Sequence, residues 1–213
     1  MTACAIDTLF CTTGVPFELV IFERLHPARP LGAHSLQARI SAMPNCLWVA
    51  EPTTDGPNQD ANRALALCKA PKVVYTGNDV FVRDGWLEAL LECFQHPDCG
   101  AATLASRDLK HHTRPTIAEG IYGPFMMFDR SQSFDADTFP SAFGDSDLIM
   151  RLYAQGKRQY RNWRVVIEHL NAQTINGPEH QRDFEAALAR FKTKHEKSSH
   201  LLMYRVLTEG IVI

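Results

Sequence analysis

Three short stretches carry side chains able to do chemistry: Asn78-Asp79, Asp145 with Asp147, and His169. Asp79 follows an apolar β-type run ending in Val73, Val74 and Tyr75, and precedes a helical pattern of Trp86, Leu87, Leu90, Leu91 and Phe94 that Asp84 is placed to cap. That order puts a carboxylate just past the carboxyl end of a buried strand, where open α/β sheets bind ligands. A simple Asn-Asp turn explains the same pair, because both side chains hydrogen-bond locally to their own backbone. Asp145 and Asp147 open a second helix, which ends at Gly156. Carboxylates in a first turn are favoured by the helix dipole, and Asp147 with Arg151 at i,i+4 adds roughly a few tenths of a kcal/mol. His169 closes the apolar segment Arg164–His169, and an imidazole at a strand end serves either structure or ligation.

The elements that must hold these groups alternate. Helical spacing over residues 3–13 stops at Gly14 and Pro16, and Phe17–Phe22 then reads as a buried strand delivering Glu23. Pro27 and Pro30 mark a loop, residues 35–43 a helix, Leu47–Ala50 a short strand, and 51–57 a loop facing the same edge as Glu23. A helix over 58–69 carries Asn62 and Arg63 near its start. A small-residue strand covers 99–105, a loop with Lys110, His111, His112 and Arg114 covers 106–119, and Ile121–Phe128 is a further strand in which Met126 and Met127 belong to the core. Pro178 opens a last helix with a Phe184, Ala187, Leu188, Phe191 stripe, a solvated basic end at 192–197 and an apolar tail at 201–213. Strands alternating with helices specify an α/β domain on a mostly parallel sheet flanked by helices.

With 213 residues, the chain suits one domain, here 1–175, with a helical extension and apolar tail at 176–213. A net charge of −2 makes no general case for nucleic acid or an anionic membrane surface. The six cysteines include no Cys-x-x-Cys pair and sit mostly in apolar runs, which predicts reduced, buried thiols. No signal peptide and no run of about 18 apolar residues is read, so a cytoplasmic protein is expected, with peripheral membrane association compatible.

The run Asn78-Asp79-Val80 followed by Gly85-Trp86-Leu87, together with Asp145-Ser146-Asp147-Leu148 and Arg151, resembles family 2 glycosyltransferases of the GT-A fold. The resemblance covers about residues 5–175. It implies a nucleotide-diphosphate-sugar donor, an acceptor hydroxyl on a glycan, lipid-linked or protein acceptor, and transfer with inversion. It also implies a divalent cation, Mn2+ or Mg2+, held by Asp79 and His169, with mixed carboxylate and imidazole ligation making manganese a fair guess. Asp145 is the implied general base and Asp147 the alternative, and Glu23, Asn62, Asn78 and Asp79 are the implied donor contacts.

The chain departs from the pattern in three places. Gly144 stands where relatives usually have an acid, Gly77 stands where many have the first acid or amide of the metal-binding triplet, and the helix at residues 3–13 has no strand ahead of it. Those departures keep a second reading alive, a catalytically impaired sugar- or nucleotide-binding module on the same fold. A metal-dependent phosphoester hydrolase also uses Asp and His, but such sites generally need more ligands. An oligomer built through the apolar tail is the expected assembly if there is one.

Overall fold

The computed structural model describes residues 2–25, 34–52, 55–107, 117–119, 123–170 and 178–196. The expected loop of Pro27 and Pro30, most of the basic loop with His111 and His112, and the apolar tail lie outside them. Element order is α1 (Thr2–Thr12), β1 (Leu19–Arg24), α2 (His34–Ser41), β2 (Cys46–Glu51), α3 (Pro57–Leu67), β3 (Lys72–Thr76), β4 (Val80–Phe81), α4 (Trp86–Cys93), β5 (Cys99–Ser106), β6 (Ile117–Glu119), β7 (Phe125–Asp129), α5 (Gly144–Ala154), β8 (Arg158–His169) and α6 (Pro178–His195). The architecture is the expected α/β domain with helices flanking the sheet.

Among the described residues the strands form a parallel pair, β1-β2, and a larger sheet in the order β3-β7-β5-β8-β4, with β6 also on β8. β5 and β8 pair in parallel, whereas β7 is antiparallel to both β3 and β5. Hence β3, β5 and β8 all run one way, and the parallel character lies in their shared direction. Reversed β7 is inserted between β3 and β5, so most direct ladders in this sheet are antiparallel. β4 and β6 are short antiparallel additions to β8 that hydrophobic patterning did not reveal.

The sheet is buried on both faces, and β7 shows it residue by residue. Successive side chains on a strand point to opposite faces. Met126 and Phe128 therefore join one core with Phe139, Leu148 and Phe191, while Phe125 and Met127 join the other with Trp86, Leu90 and Ile167. Both methionines are core, as expected. On the second face, Trp86 sets its ring edge-on to Phe125 at 5.8 Å and donates its indole N–H to Thr13 Oγ1 at 2.7 Å, tying α1 to α4. α4 is not capped by Asp84: Gly85, at φ 76, takes the cap position with no side-chain hydrogen bond. Leu91, expected on the buried stripe, is 40% exposed.

The cysteines are free thiols among the described residues. Cys93 and Cys99 are buried and pushed up to about 12 by burial, but Cys4 and Cys11 are exposed, contrary to the expectation of burial.

On the first face, α6 is held by its aromatic stripe and by charge. Phe191 lies 5.3 Å from the ring of Phe143 and 6.2 Å from that of Phe139. The expected solvated basic end is instead engaged: Lys194 reaches Asp147 at 2.6 Å and Asp135 at 2.7 Å, and His195 Nε2 lies 2.9 Å from Asp147. Arg151 Nε donates to the other Asp147 oxygen at 2.8 Å, and the Asp147 side chain is 0% exposed. Burial opposes its ionised form, yet the hydrogen bonds from His195, Lys194 and Arg151 outweigh it and hold its pKa below the ordinary value. Asp135, bonded to Lys194, is lowered to about 2.

Removing one partner of a buried ion pair leaves the others uncompensated, so Asp147→Asn should cost roughly 3 kcal/mol in denaturant unfolding. Because the Asp147 pKa is lower in the folded than in the unfolded chain, its contribution is full above pH about 4 and is lost as pH falls through the folded value. An acid titration of stability should show that decline in the wild type and a flatter one in the variant.

Candidate functional site

The edge of interest is the carboxyl end of β3 and β8. Thr76 ends β3, and Gly77, Asn78 and Asp79 turn the chain into β4. β4 then pairs with the last residues of β8, with Val80 opposite His169 and Phe81 opposite Glu168, and Leu170 N–H donates to the Asp79 carbonyl at 3.1 Å. The register of this short ladder brings together two residues 90 positions apart. His169 Nε2 lies 3.4 Å from Asp79 Oδ2, with side chains 11% and 16% exposed.

β8 reaches this edge through an irregularity. Its partner on β5 jumps from Asn162 opposite Leu104 to Val166 opposite Ala105. Asn162 anchors the bulge: its amide donates to the Ala89 carbonyl at 3.0 Å and to Glu92 at 3.1 Å, and its oxygen accepts from Arg164 N–H at 2.9 Å. Bulges re-aim a strand and are frequent beside functional sites. This one carries no sequence signature beyond an asparagine between Arg161 and Trp163.

The pair fits a shared divalent cation. Bonds of about 2.1 Å to a carboxylate oxygen and an imidazole nitrogen, at an angle near 90–110°, set the two donors about 3.0–3.4 Å apart. One oxygen and one nitrogen suit manganese better than magnesium, which prefers oxygen alone. No group of three or more His, Cys, Asp and Glu side chains placed to share a metal occurs among the described residues. Among the described residues the edge thus offers two donors, Asp79 and His169. Gly77 packs closely here: a Cβ on it would lie 2.6 Å from Asp79 Oδ1, so the departure from an acid at this position leaves the Asp79 carboxylate its present place.

Asp145 and Asp147, two positions apart on α5, meet opposite surroundings. Asp147 points into the core and is consumed by Arg151, Lys194 and His195. Asp145 is partly buried and accepts from the Ser146 N–H at 2.7 Å. Burial raises its pKa, partly countered by that backbone hydrogen bond. Gly123 presses against it, since a Cβ there would fall 1.5 Å from Asp145 Oδ2. Only glycine permits that approach of backbone to carboxylate. Tyr75, the penultimate residue of β3 before the Asp79 loop, is raised to about 12 by burial and then by the Asp145 charge. Ahead of α5, Phe143 is held at φ 65, a conformation rare for a bulky side chain, by the rings of Phe184 and Phe191.

The remaining expected contacts divide. Asn78 donates to Thr2 Oγ1 at 3.3 Å, linking the Asp79 turn to the start of α1. Glu23, near the end of β1, accepts the indole N–H of Trp48 at 3.0 Å. Asn62 is committed at both ends of its amide: it donates to the Phe134 carbonyl at 2.9 Å and accepts from the Phe134 N–H at 2.9 Å. That exchange clamps α3 to the loop after β7. Arg63 pairs with Asp55 and Asp60. Sequence reasoning missed Asn58, whose amide donates to the Phe139 carbonyl at 2.6 Å and fills the space beside Gly144, where a Cβ would stand 2.3 Å from Asn58 Nδ2. An asparagine in the first turn of a helix gives no hint of such a distant partner.

No protein-family model matches the sequence, and no curated protein does. Solved structures do resemble it. TarS residues 1–349 from S. aureus superposes with a TM-score of 0.61 at 12% identity, covering 98% of this chain and 75% of that one. The mannosyltransferase PcManGT from Pyrobaculum calidifontis, in complex with GDP-Man and Mn2+, gives 0.61 at 14% identity over 97% of this chain and 74% of its own. GalNAc-T7 with UDP, GalNAc and Mn2+ gives 0.64 at 11% identity over 96% of this chain and 51% of its own. The chain has the GT-A fold of these glycosyltransferases.

Proposed function

We propose that this chain is a family 2 type glycosyltransferase that moves a sugar from a nucleotide-diphosphate-sugar to an acceptor hydroxyl with inversion. The observation carrying it is the Asp79–His169 pair, 3.4 Å apart at the carboxyl edge of a GT-A sheet. The resemblance to PcManGT bound to GDP-Man and Mn2+ and to GalNAc-T7 bound to UDP and Mn2+ supports that choice of ligand class. A divalent cation held by Asp79 and His169 would offset charge developing on the departing diphosphate.

The chain's own part in the chemistry falls to Asp145. Its carboxylate accepts the proton of the acceptor hydroxyl as that oxygen attacks the anomeric carbon, and single displacement inverts the centre. A pKa raised by burial makes it a stronger base once ionised. The Ser146 N–H fixes one carboxylate oxygen, and the Gly123 backbone lies against the other. Asp147 has no place in this step, because its oxygens are spent on three cationic side chains. Asn78 and Glu23 bound the donor side of the edge.

A binding module without turnover is the second reading, favoured by Asn58: its amide takes the space beside Gly144, so an acid there could not be accommodated unless Asn58 moved. Isothermal titration showing nucleotide-sugar binding with no product in a transfer assay would select it.

Thermal shift with UDP and with GDP, each with and without MnCl2, tests the metal assignment: the wild type should gain metal-dependent stabilisation, and Asp79→Ala and His169→Ala should each lose that part. A wild type with no metal-dependent gain refutes the ligand pair. Asp145→Asn should lower transfer by roughly 10²- to 10⁴-fold with nucleotide binding little changed. Transfer by the wild type should rise with pH as Asp145 loses its proton, at a pH above the ordinary carboxylate value of 3.8. If Asp145→Asn transfers normally, another group is the base.

A further inference from the structure

α6 (Pro178–His195) lies beyond the stretch that carries the family resemblance, yet it grips the segment leading into α5. Its partners there are Asp135, Phe139, Phe143 and Asp147, spaced every fourth residue. Lys194 reaches Asp135 at 2.7 Å and Asp147 at 2.6 Å, and its ammonium lies 5.3 Å from the centre of the Phe139 ring. Phe191 packs on Phe139 and Phe143, with ring centres 6.2 and 5.3 Å away, and Phe184 lies 5.1 Å from Phe143. His195 Nε2 completes the row, 2.9 Å from Asp147.

Asp145 stands midway between the last two of those positions. On one side, Phe143 holds φ 65, a backbone conformation that a bulky side chain keeps only where its surroundings impose it. The rings of Phe184 and Phe191 supply that constraint, and the Phe143 carbonyl accepts the Asp147 N–H at 2.9 Å, closing the first turn of α5. On the other side, the buried Asp147 carboxylate is fixed by Lys194 and His195 from α6 and by Arg151 from α5 itself. A carboxylate between two such anchors inherits the pitch of the turn they fix.

That pitch matters because the clearance around Asp145 is small. The Gly123 backbone lies so near that a Cβ on it would fall 1.5 Å from Asp145 Oδ2, and the Ser146 N–H holds the other oxygen at 2.7 Å. A slight rotation of α5 would alter both contacts. The Asp79–His169 pair, by contrast, is set by the β4–β8 ladder. The metal side and the base side of the edge therefore have separate supports.

We infer that α6 positions the Asp145 carboxylate, with Lys194 and His195 acting through Asp147 and Phe184 and Phe191 acting through Phe143. All four are positioning residues, working on Asp145 through the backbone of its own helical turn. The catalytic consequence rests on the transfer reaction proposed above; the positioning does not. The last helix thereby belongs to the base side of the site and is no separate extension.

Carbon-13 NMR of labelled aspartate carboxyl groups, together with transfer kinetics, tests the inference in the full chain, the Asp145 signal being assigned by its loss in Asp145→Asn. In the wild type that carboxyl should titrate above the ordinary value of 3.8. Lys194→Ala and Phe184→Ala should each bring its midpoint down toward that value, because loosening the turn admits water. Loss of the Lys194 charge by itself would raise the midpoint, so a fall reports movement. Both variants should lower kcat on the order of ten- to a hundredfold, the scale of a misplacement of about 1 Å. Donor KM and the metal-dependent thermal shift with UDP or GDP should stay near the wild-type values. Lys194→Arg, which keeps a cation, should recover most of the midpoint and of kcat. Ile40→Ala, at a buried position on α2, controls for lost stability alone and should change neither. Phe184 is 41% exposed, so its truncation leaves a folded chain for the test even where Lys194→Ala does not fold. The inference is overturned if the Asp145 midpoint in the folded variants stays at the wild-type value, or if Ile40→Ala moves midpoint and kcat as far as they do. A wild type that transfers no sugar refutes the reaction and leaves the carboxyl titration to decide the positioning.

Discussion

The pairing of β4 with the end of β8 is the interaction on which the candidate site depends. β4 is two residues long and would have no stability alone; it exists because β8 offers an edge for Val80 and Phe81. That ladder, closed by Leu170 N–H to the Asp79 carbonyl, fixes the backbone on both sides of the Asp79–His169 contact. β8 in turn pairs with β5, β6 and β4 along its twelve residues, with a shift in its β5 ladder after Asn162. The Asn162 amide ties that bulge to α4 through the Ala89 carbonyl and Glu92.

Two carboxylates on one helix show how environment assigns roles. Asp145 and Asp147 share the first turn of α5 and the same favourable dipole. Two positions turn a side chain about 200° around a helix, so one faces the core and the other the edge. The core-facing carboxylate is tolerable only because Arg151, Lys194 and His195 converge on it, and that convergence anchors α6 to the domain. The edge-facing carboxylate has backbone N–H donors but no cation within an ion pair among the described contacts, and its pKa moves up where its neighbour's moves down.

Glycine accounts for two departures from the family pattern in local terms. Gly144 faces Asn58 and Gly77 faces Asp79, each too close for a Cβ with the neighbour in its present position. Asn58 also receives the loop after β7 through the Phe139 carbonyl, and its own N–H bonds the Pro140 carbonyl at 3.2 Å. The same asparagine therefore stabilises the approach to α5 and occupies the space an acid would need.

Most elements were legible in the sequence, because 3.6-residue and continuous apolar patterns are local signals: α1, α3, α5 and β3 fall within a few residues of their expected bounds. Asp79, Asp145 and His169 could be singled out because each follows or opens such an element. What no local pattern contains is pairing. β4, β6, the bulge in β8 and the reversal of β7 between β3 and β5 are set by which edges meet. The same reason decided the polar residues: Asn62, expected at a donor, spends its amide on Phe134, and Lys194, expected in solvent, holds Asp135 and Asp147, partners 72, 59 and 47 positions away along the chain. Sequence alone determined where most helices and the longer strands form and which acids end them; tertiary structure decided which of those acids are spent on packing, since a hydrogen bond is chosen by distance in space and not along the chain.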